Sequence, residues 1–446
     1  MPLVAKNGKS GFLKKHGHWW NPTHTLKVMH LLDTSAILLT LAAVFGYINH
    51  RVFKLPSSIG ILLMGLVLSA LLLLFGDLWP ALRDNADSFV TQIDFNETVM
   101  QVMLSFLLFA GALHVNLNDL KNQKYVVAIL ASVGLLVSTL LVGIAAFFVF
   151  KWTGLNVPFL WCLVFGSLIS PTDPVAVLGI LKKVGVSKSI ETKITGESLF
   201  NDGVGVVVYI ALIGFAVGSG DRGAMDVGLL FIEEVGGGLL LGGLLGYVAY
   251  RMLKTIDNYQ VEILITLALV TGGYQLASYF HFSGPLAMVV AGLMIGNHGR
   301  ELAMSETTRD HLDLFWELID EMLNAVLFLL IGLEIFVLSW NSSALFAGII
   351  LIGVVIGSRM VAVSLPVIAL KRSREFSPGI IRILTWGGLR GGISVALALA
   401  LPKEGIEDGV RQSILMATYV VVIFSIAVQG LTLRPVILRA MGKTAS

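Results

Sequence analysis

Apolar runs of about 17–28 residues recur along the whole chain, and in a bilayer such runs serve as helices. Inside hydrocarbon every backbone N–H and C=O must bond within the protein, which leaves helices or a closed barrel. Barrel strands would be ~9–11 residues long and would alternate polar with apolar, which these runs do not. Composition agrees. Of 446 residues, 56% are hydrophobic and 13% charged, with a mean hydropathy of +0.83, where a soluble domain carries roughly 25% charged residues. The expected fold class is an all-α polytopic membrane protein whose main partner is the lipid bilayer. The single cysteine, Cys162, excludes an internal disulfide and a cysteine-based metal site. No nucleic-acid signature is present. The first 32 residues are polar and basic, so no cleavable signal peptide is expected before the first span.

Thirteen spans are expected, at about 33–49, 57–75, 98–115, 125–150, 158–181, 195–217, 227–253, 260–280, 283–297, 320–339, 344–370, 378–401 and 411–437. They define a polar arm at 1–32, a transmembrane domain at 33–437 and a short cytoplasmic tail at 438–446. Loops after odd-numbered spans, with the C-terminus, hold eighteen Lys and Arg, among them Lys121, Lys188 and Lys193; the opposite loops hold five. The positive-inside rule then puts the C-terminus in the cytoplasm of a cell membrane and the N-terminus outside. Lys6, Lys9, Lys14, Lys15 and Lys27 of the arm pull the other way.

Two spans should be broken. Span 5 holds Ser170-Pro171-Thr172-Asp173-Pro174. Each proline removes a donor and disfavours helix in the residue before it. Span 12 holds Trp386-Gly387-Gly388-Leu389-Arg390-Gly391-Gly392, where glycines permit the same unwinding. The two spans run in opposite directions, the pattern of two inverted six-helix repeats crossing near the midplane. The repeats would be about 33–217 and 260–437, joined by a linker helix at 227–253.

An intramembrane carboxylate costs at least ~2.5–3.5 kcal/mol and marks a functional site by default. Besides Asp173, span 6 carries Glu197, Ser198, Asn201 and Asp202 in Gly196-Glu197-Ser198-Leu199-Phe200-Asn201-Asp202-Gly203. At ~100° per residue Ser198 and Asp202 share one face and Glu197 and Asn201 another. Ser198 and Asp202 can thus address one ligand while Glu197 addresses a neighbouring helix. Arg359 and Arg390 lie too deep to reach the interface and are natural countercharges for buried carboxylates. Carboxylate, hydroxyl and freed carbonyl oxygens suit a hard cation such as Na⁺; without soft or imidazole ligands a transition metal is not expected. Burial disfavours a charged carboxylate, so H⁺ and a cation compete for it. Competition plus alternating access gives exchange. Neutral Asn201 beside Asp202 leaves one proton-carrying acid there, which favours one-for-one, electroneutral exchange.

These three motifs, in order and spacing across about 33–437, resemble the cation/proton antiporters of the NhaP and eukaryotic sodium/proton exchanger type, within the monovalent cation:proton antiporter families. The resemblance implies thirteen helices, a homodimer, and a six-helix bundle moving against a dimerisation domain. It implies Na⁺ or Li⁺ and H⁺ as transported ions, with no cofactor and no enzymatic activity. It further implies cation binding by Asp202, Ser198, the Thr172 carbonyl and, directly or through water, Asp173. Glu197 would pair structurally with Arg359, Arg390 would sit beside the half-helix ends, and Asn201 would hold the crossing. One position departs: many relatives carry a glutamate where Phe109-Ala110-Gly111 stands here.

Several other residues invite readings. His16, His18, His24 and His30 read as a solvated arm rather than a metal site, for want of acidic or cysteine partners. His114 reads as interfacial rather than as a pH sensor. Glu233-Glu234 reads as the start of span 7, and Asp320-Glu321 as a solvated helix start rather than as acids that attract cations at the cytoplasmic funnel; Glu334 has no obvious partner. A K⁺/H⁺ antiporter is the nearest alternative. A cation channel requires a continuous pore with weak multi-site binding. An intramembrane aspartyl protease using Asp173 and Asp202 lacks its Tyr-Asp and Gly-x-Gly-Asp motifs.

Overall fold

The computed structural model describes residues 22–75, 103–217, 224–300, 303–336, 340–372, 376–402 and 404–442. Among them the chain is helical throughout: α1 Pro22–Ile48, α2 Ser57–Phe75, α3 Leu104–Leu113, α4 Leu117–Trp152, α5 Phe159–Ile169, α6 Val175–Val184, α7 Lys188–Val217, α8 Ala224–Leu253, α9 Tyr259–Tyr279, α10 Gly284–Met294, α11 Glu306–Glu334, α12 Ser342–Leu370, α13 Ile380–Trp386, α14 Gly392–Leu399 and α15 Asp408–Ala440. Eight helices in the described residues are long and apolar enough to cross a membrane. The chain is a multi-pass membrane protein.

The apolar runs locate the helices, while polar caps set several of their starts. Asn116, Asn258, Ser305 and Asn341 are N-caps whose side chains accept from backbone N–H groups of the first turn. Three readings are corrected by the observed helix bounds. The helix of span 10 begins at Glu306, so Asp320 and Glu321 lie well inside α11 rather than at its start. Likewise α8 begins at Ala224, which moves Glu233 and Glu234 into its interior. Lys193, counted as a loop charge, is within α7 and 2% exposed, with its Nζ donating to Ser189 Oγ at 2.6 Å; removing it leaves the loop asymmetry intact. The helix of span 1 starts at Pro22, inside the expected arm. The arm's residues 1–21 with His16 and His18, residues 98–102 of span 3, and the tail residues 443–446 lie outside the described residues.

Both expected interruptions are present. The fifth span is two half-helices, α5 and α6, and the twelfth is α13 and α14. The largest buried cluster surrounds α5 and α14 with side chains from α2, α4, α11, α12 and α15, including Phe150, Phe165, Phe328 and Tyr419. A second cluster joins α3 and α8–α11 through Phe109, Met288 and Trp316. A third packs α6 and α13 against α7, α12 and α15. The half-helix ends are thereby held in a rigid apolar surround with little freedom to heal into continuous helices.

Candidate functional site

The two breaks cross each other. The N–H of Asp173, between α5 and α6, donates to the carbonyl of Leu389, between α13 and α14, at 2.8 Å, an isolated antiparallel bridge. Each interruption thus satisfies part of the backbone that the other leaves open. The Arg390 N–H donates to Ser425 Oγ at 2.9 Å. The Arg390 side chain, 1% exposed, sends Nη1 to the carbonyls of Pro171, at 2.9 Å, and Ser170. A helix C-terminus carries unpaired carbonyls and the negative end of the macrodipole, so a guanidinium is favourable beyond the end of α5. Arg390 thus sits beside the half-helix ends with its hydrogen bonds on carbonyl oxygens, and the charge of Glu197 also acts on it.

Helix α7 supplies the remaining groups. Thr172 Oγ1 and Ser198 Oγ are 3.0 Å apart and hydrogen-bonded. Asn201 Nδ2 donates to Thr172 Oγ1 at 2.9 Å, and the Thr172 N–H donates to Asn201 Oδ1 at 3.4 Å. Asn201 thus clamps the unwound segment by its backbone and its side chain. Asp202 is 5% exposed, and its charge interacts directly with that of Asp173. The Asp173 side chain fills the space over Gly391: a Cβ on that glycine would lie 2.6 Å from Asp173 Cβ and 2.7 Å from its Cγ. Two carboxylates and two hydroxyls therefore gather where two helices are unwound. All four side chains offer oxygen, the donor type of a hard cation site.

Glu197, 1% exposed, points away from this group. Arg359 Nη1 of α12 donates to its Oε1 at 2.5 Å, while Arg359 Nε and Nη2 each reach the Leu384 carbonyl of α13 at 3.3 Å. The pair ties α7, α12 and α13 together behind the crossing. Gly388 makes room for it, since a Cβ there would stand 2.6 Å from Arg359 Nε.

The expected site residues are thus brought together in two groups: Thr172, Asp173, Ser198, Asn201 and Asp202 around the crossing, Glu197 with Arg359 behind it. Two contributors escaped the sequence reading in the roles they play. Ser425 and Gly388 lie far from any motif acid and act through backbone and space. Asp320 of α11, weighed in the sequence as a cation attractor but read as a helix start, is a half-buried carboxylate on which the charge of Asp173 acts. Ala110 of α3 is 1% exposed and contributes only a methyl group, while the ring of its neighbour Phe109 lies tilted against Trp316 with centroids 4.7 Å apart. His114 is exposed, and its Nδ1 lies 2.8 Å from the Ala110 carbonyl.

Comparison with known proteins bears on the family and the fold. The family model described as "Sodium/hydrogen exchanger, transmembrane" matches residues 39–439. The chain is 46% identical over 414 residues to the Na(+)/H(+) antiporter NhaP of Pseudomonas aeruginosa, covering 92% of this chain and 97% of that protein. It is 35% identical over 420 residues to the Na(+)/H(+) antiporter NhaH of Halobacillus aidingensis, covering 92% and 96%. Its fold matches the sodium proton antiporter MjNhaP1 from Methanocaldococcus jannaschii with a TM-score of 0.72 at 20% identity, covering 93% of this chain and all of that one. These relatives are named as transporters, not enzymes. A family match that begins within the first span and ends within the last, joined to a close relative matched nearly end to end, places this chain in the sodium/hydrogen exchanger family.

Proposed function

We propose that this protein exchanges Na⁺ for H⁺ across the membrane by alternating access, one for one and without net charge movement. The observation that carries this is the meeting of Asp202, Asp173, Thr172 and Ser198 at the crossing of two broken helices. Carboxylates there are deprived of bulk water, so each ionised group calls for a neutralising partner, and Na⁺ and H⁺ are alternative partners for the same oxygens. Asp202 is the shared binding group. Asp173 and Ser198 complete the oxygen cage with the Thr172 carbonyl, and Asn201 holds that backbone in place. Glu197 and Arg359 neutralise each other and belong to the scaffold, and Arg390 stabilises the end of α5. The names of the relatives support Na⁺ as the cation. Li⁺ fits the same oxygen set, and K⁺ is the competing substrate.

The same reading sets two inverted repeats, at about 33–217 and 260–437, around the helix at 227–253, with the C-terminus cytoplasmic and the N-terminus outside. The excess of basic residues on one set of loops supports that sidedness. Assembly as a homodimer belongs to this reading too.

Purified protein in proteoliposomes containing a pH-sensitive dye tests it. With a proton gradient imposed, Na⁺ should dissipate the gradient in a saturable way, Li⁺ should substitute and K⁺ should act weakly. Asp202→Asn should abolish the signal. Activity retained in that variant, or a K⁺ response exceeding that of Na⁺, would overturn the assignment of the residue or of the ion, respectively.

A further inference from the structure

Half-helix α14 runs from the crossing to a carbonyl end that two other helices cap. It holds only eight residues, Gly392–Leu399, too few to be stable without packing. Of its last carbonyls, that of Ala396 accepts the Ala400 N–H at 2.9 Å and that of Ala398 the Leu401 N–H at 3.3 Å. Those of Leu397 and Leu399 are taken by side chains. Tyr209 of α7 is 4% exposed, and its hydroxyl donates to the Leu397 carbonyl at 2.7 Å. Arg411 of α15 donates from Nη2 to the Leu399 carbonyl and from Nε to the Leu401 carbonyl, each at 3.4 Å. Arg411 stands in the first turn of its own helix, where the macrodipole disfavours a cation. The negative end of α14 compensates it.

Tyr209 also lies on the face of α7 that carries the site. Ser198, Asp202, Gly205 and Tyr209 are spaced i, i+4, i+7 and i+11 and follow one stripe of the helix. At one end of that stripe Ser198 Oγ is hydrogen-bonded to Thr172 Oγ1 at 3.0 Å. Further on, Gly205 lies so close to Pro171 that a Cβ there would run into the proline ring. Asp202 stands between these two contacts, against the unwound segment. On α14 the corresponding point is Gly391, the residue that the Asp173 side chain covers. At ~1.5 Å per residue, Asp202 to Tyr209 spans ~10 Å of α7 and Gly391 to Leu397 ~9 Å of α14. Two stretches of nearly equal length thus leave the crossing together, and the bond from Tyr209 to Leu397 joins their far ends.

We propose that Tyr209 is a positioning residue for the exchange: its bond to the Leu397 carbonyl, backed by Arg411 on the carbonyls beyond, fixes the register of α7 on α14 and so the separation of Asp202 from Asp173 on its Gly391 seat. This inference rests on the exchange reading above. One helix carries Asp202 and the other carries the seat of Asp173, so sliding one along the other moves the two carboxylates apart. A cation held by both is sensitive to that distance. Tyr209 touches neither carboxylate and acts through the two helices. The short half-helix has no length of its own to resist sliding, which is why its outer end needs a tie.

The test measures Na⁺-driven proton flux in proteoliposomes for the wild type, Tyr209→Phe, Tyr419→Phe and Asp202→Asn. Tyr209→Phe removes one hydroxyl and keeps the ring. It should raise the apparent KM for Na⁺ by roughly three- to fivefold, the scale on which one net hydrogen bond moves an equilibrium. Its maximal rate should stay within about twofold, the mark of lost binding rather than lost turnover. Tyr419→Phe is the control: Tyr419 of α15 is fully buried and its hydroxyl has no hydrogen-bond partner among the described residues, so its KM should match the wild type. A purely structural Tyr209 would lower the thermal unfolding midpoint in detergent and leave KM alone. That result, or an equal rise of KM in Tyr419→Phe, with the wild type active and Asp202→Asn inactive, overturns this proposal alone. Should Tyr209→Phe not fold, Arg411→Gln decides, because it loosens the same end of α14: a raised KM supports the proposal and an unchanged one overturns it. A wild type that moves no protons with Na⁺, Li⁺ or K⁺ overturns the exchange reading and this one with it.

Discussion

The N–H of Asp173 donates to the carbonyl of Leu389 at 2.8 Å, so the two interrupted helices of this exchanger are bonded to each other at the point where both are unwound. That bond positions the Asp173 carboxylate over Gly391, within electrostatic reach of Asp202 on α7. A break in one helix alone would strand its polar groups in hydrocarbon. Two breaks that cross can share the cost.

Gly391 is the contact that places Asp173. Gly391→Ala would push a methyl group into Asp173 Cβ and Cγ and shift the carboxylate from the proposed cation site. The expected outcome is loss of most Na⁺-driven proton flux in proteoliposomes, with the protein still purifying as a folded species on size exclusion. Full activity in this variant would mean that the position of Asp173 does not matter to transport.

Glu197 and Arg359 are both buried, and each compensates the other's desolvation. Glu197→Gln leaves an unpaired guanidinium inside the protein, a change worth ~3–5 kcal/mol in stability. The thermal unfolding midpoint in detergent should fall clearly, while the apparent KM for Na⁺ of the surviving folded protein should hardly change. A raised KM with unchanged thermal stability would move Glu197 from the scaffold into the cation site.

Gly388→Ala acts on the same pair without touching a charge. Its Cβ would sit 2.6 Å from Arg359 Nε, so the guanidinium must leave its seat on the Leu384 carbonyl. Its stability loss should be in the same direction as that of Glu197→Gln, and combining the two should give less than the sum, as expected for residues in one network. Additive losses would separate them.

Asn201 is neutral and occupied by Thr172, which under the proposed exchange leaves Asp202 to carry the proton on that stretch of α7. Exchange should therefore run at the same rate whether the membrane potential is clamped at zero or set negative inside with a K⁺ gradient and valinomycin. A rate that rises with the potential would require net charge movement and contradict one-for-one exchange.

The site was legible in the sequence to the extent that its chemistry depends on rare residue types in the wrong solvent. Carboxylates, prolines and paired glycines stand out against an apolar run, which is why Asp173, Asp202 and both helix breaks could be read directly. The face shared by Ser198 and Asp202 followed from helical spacing alone. Arg390 stands out by charge alone, while the hydrogen bonds that tie it to the end of α5 are set by backbone direction. Asp320 was misplaced because a search for long apolar runs passes over an amphipathic helix. The first turns of α11 are polar on one side and bury Leu312 and Trp316 on the other, and the cap at Ser305 was the available clue. The contributions of Gly388 and Ser425 depend on which helices become neighbours, and no local pattern encodes that.

The most direct test of the central claim, that one carboxylate serves Na⁺ and H⁺ in turn, is the number of protons released when Na⁺ binds. Calorimetric titration of the purified protein with NaCl, in buffers of different ionisation enthalpy, reads that number without any transport. At a pH where Asp202 is protonated before binding, the account predicts about one proton released per Na⁺ bound, and no such exchange in Asp202→Asn. Na⁺ binding without proton release under those conditions, or an undiminished release in Asp202→Asn, would contradict it.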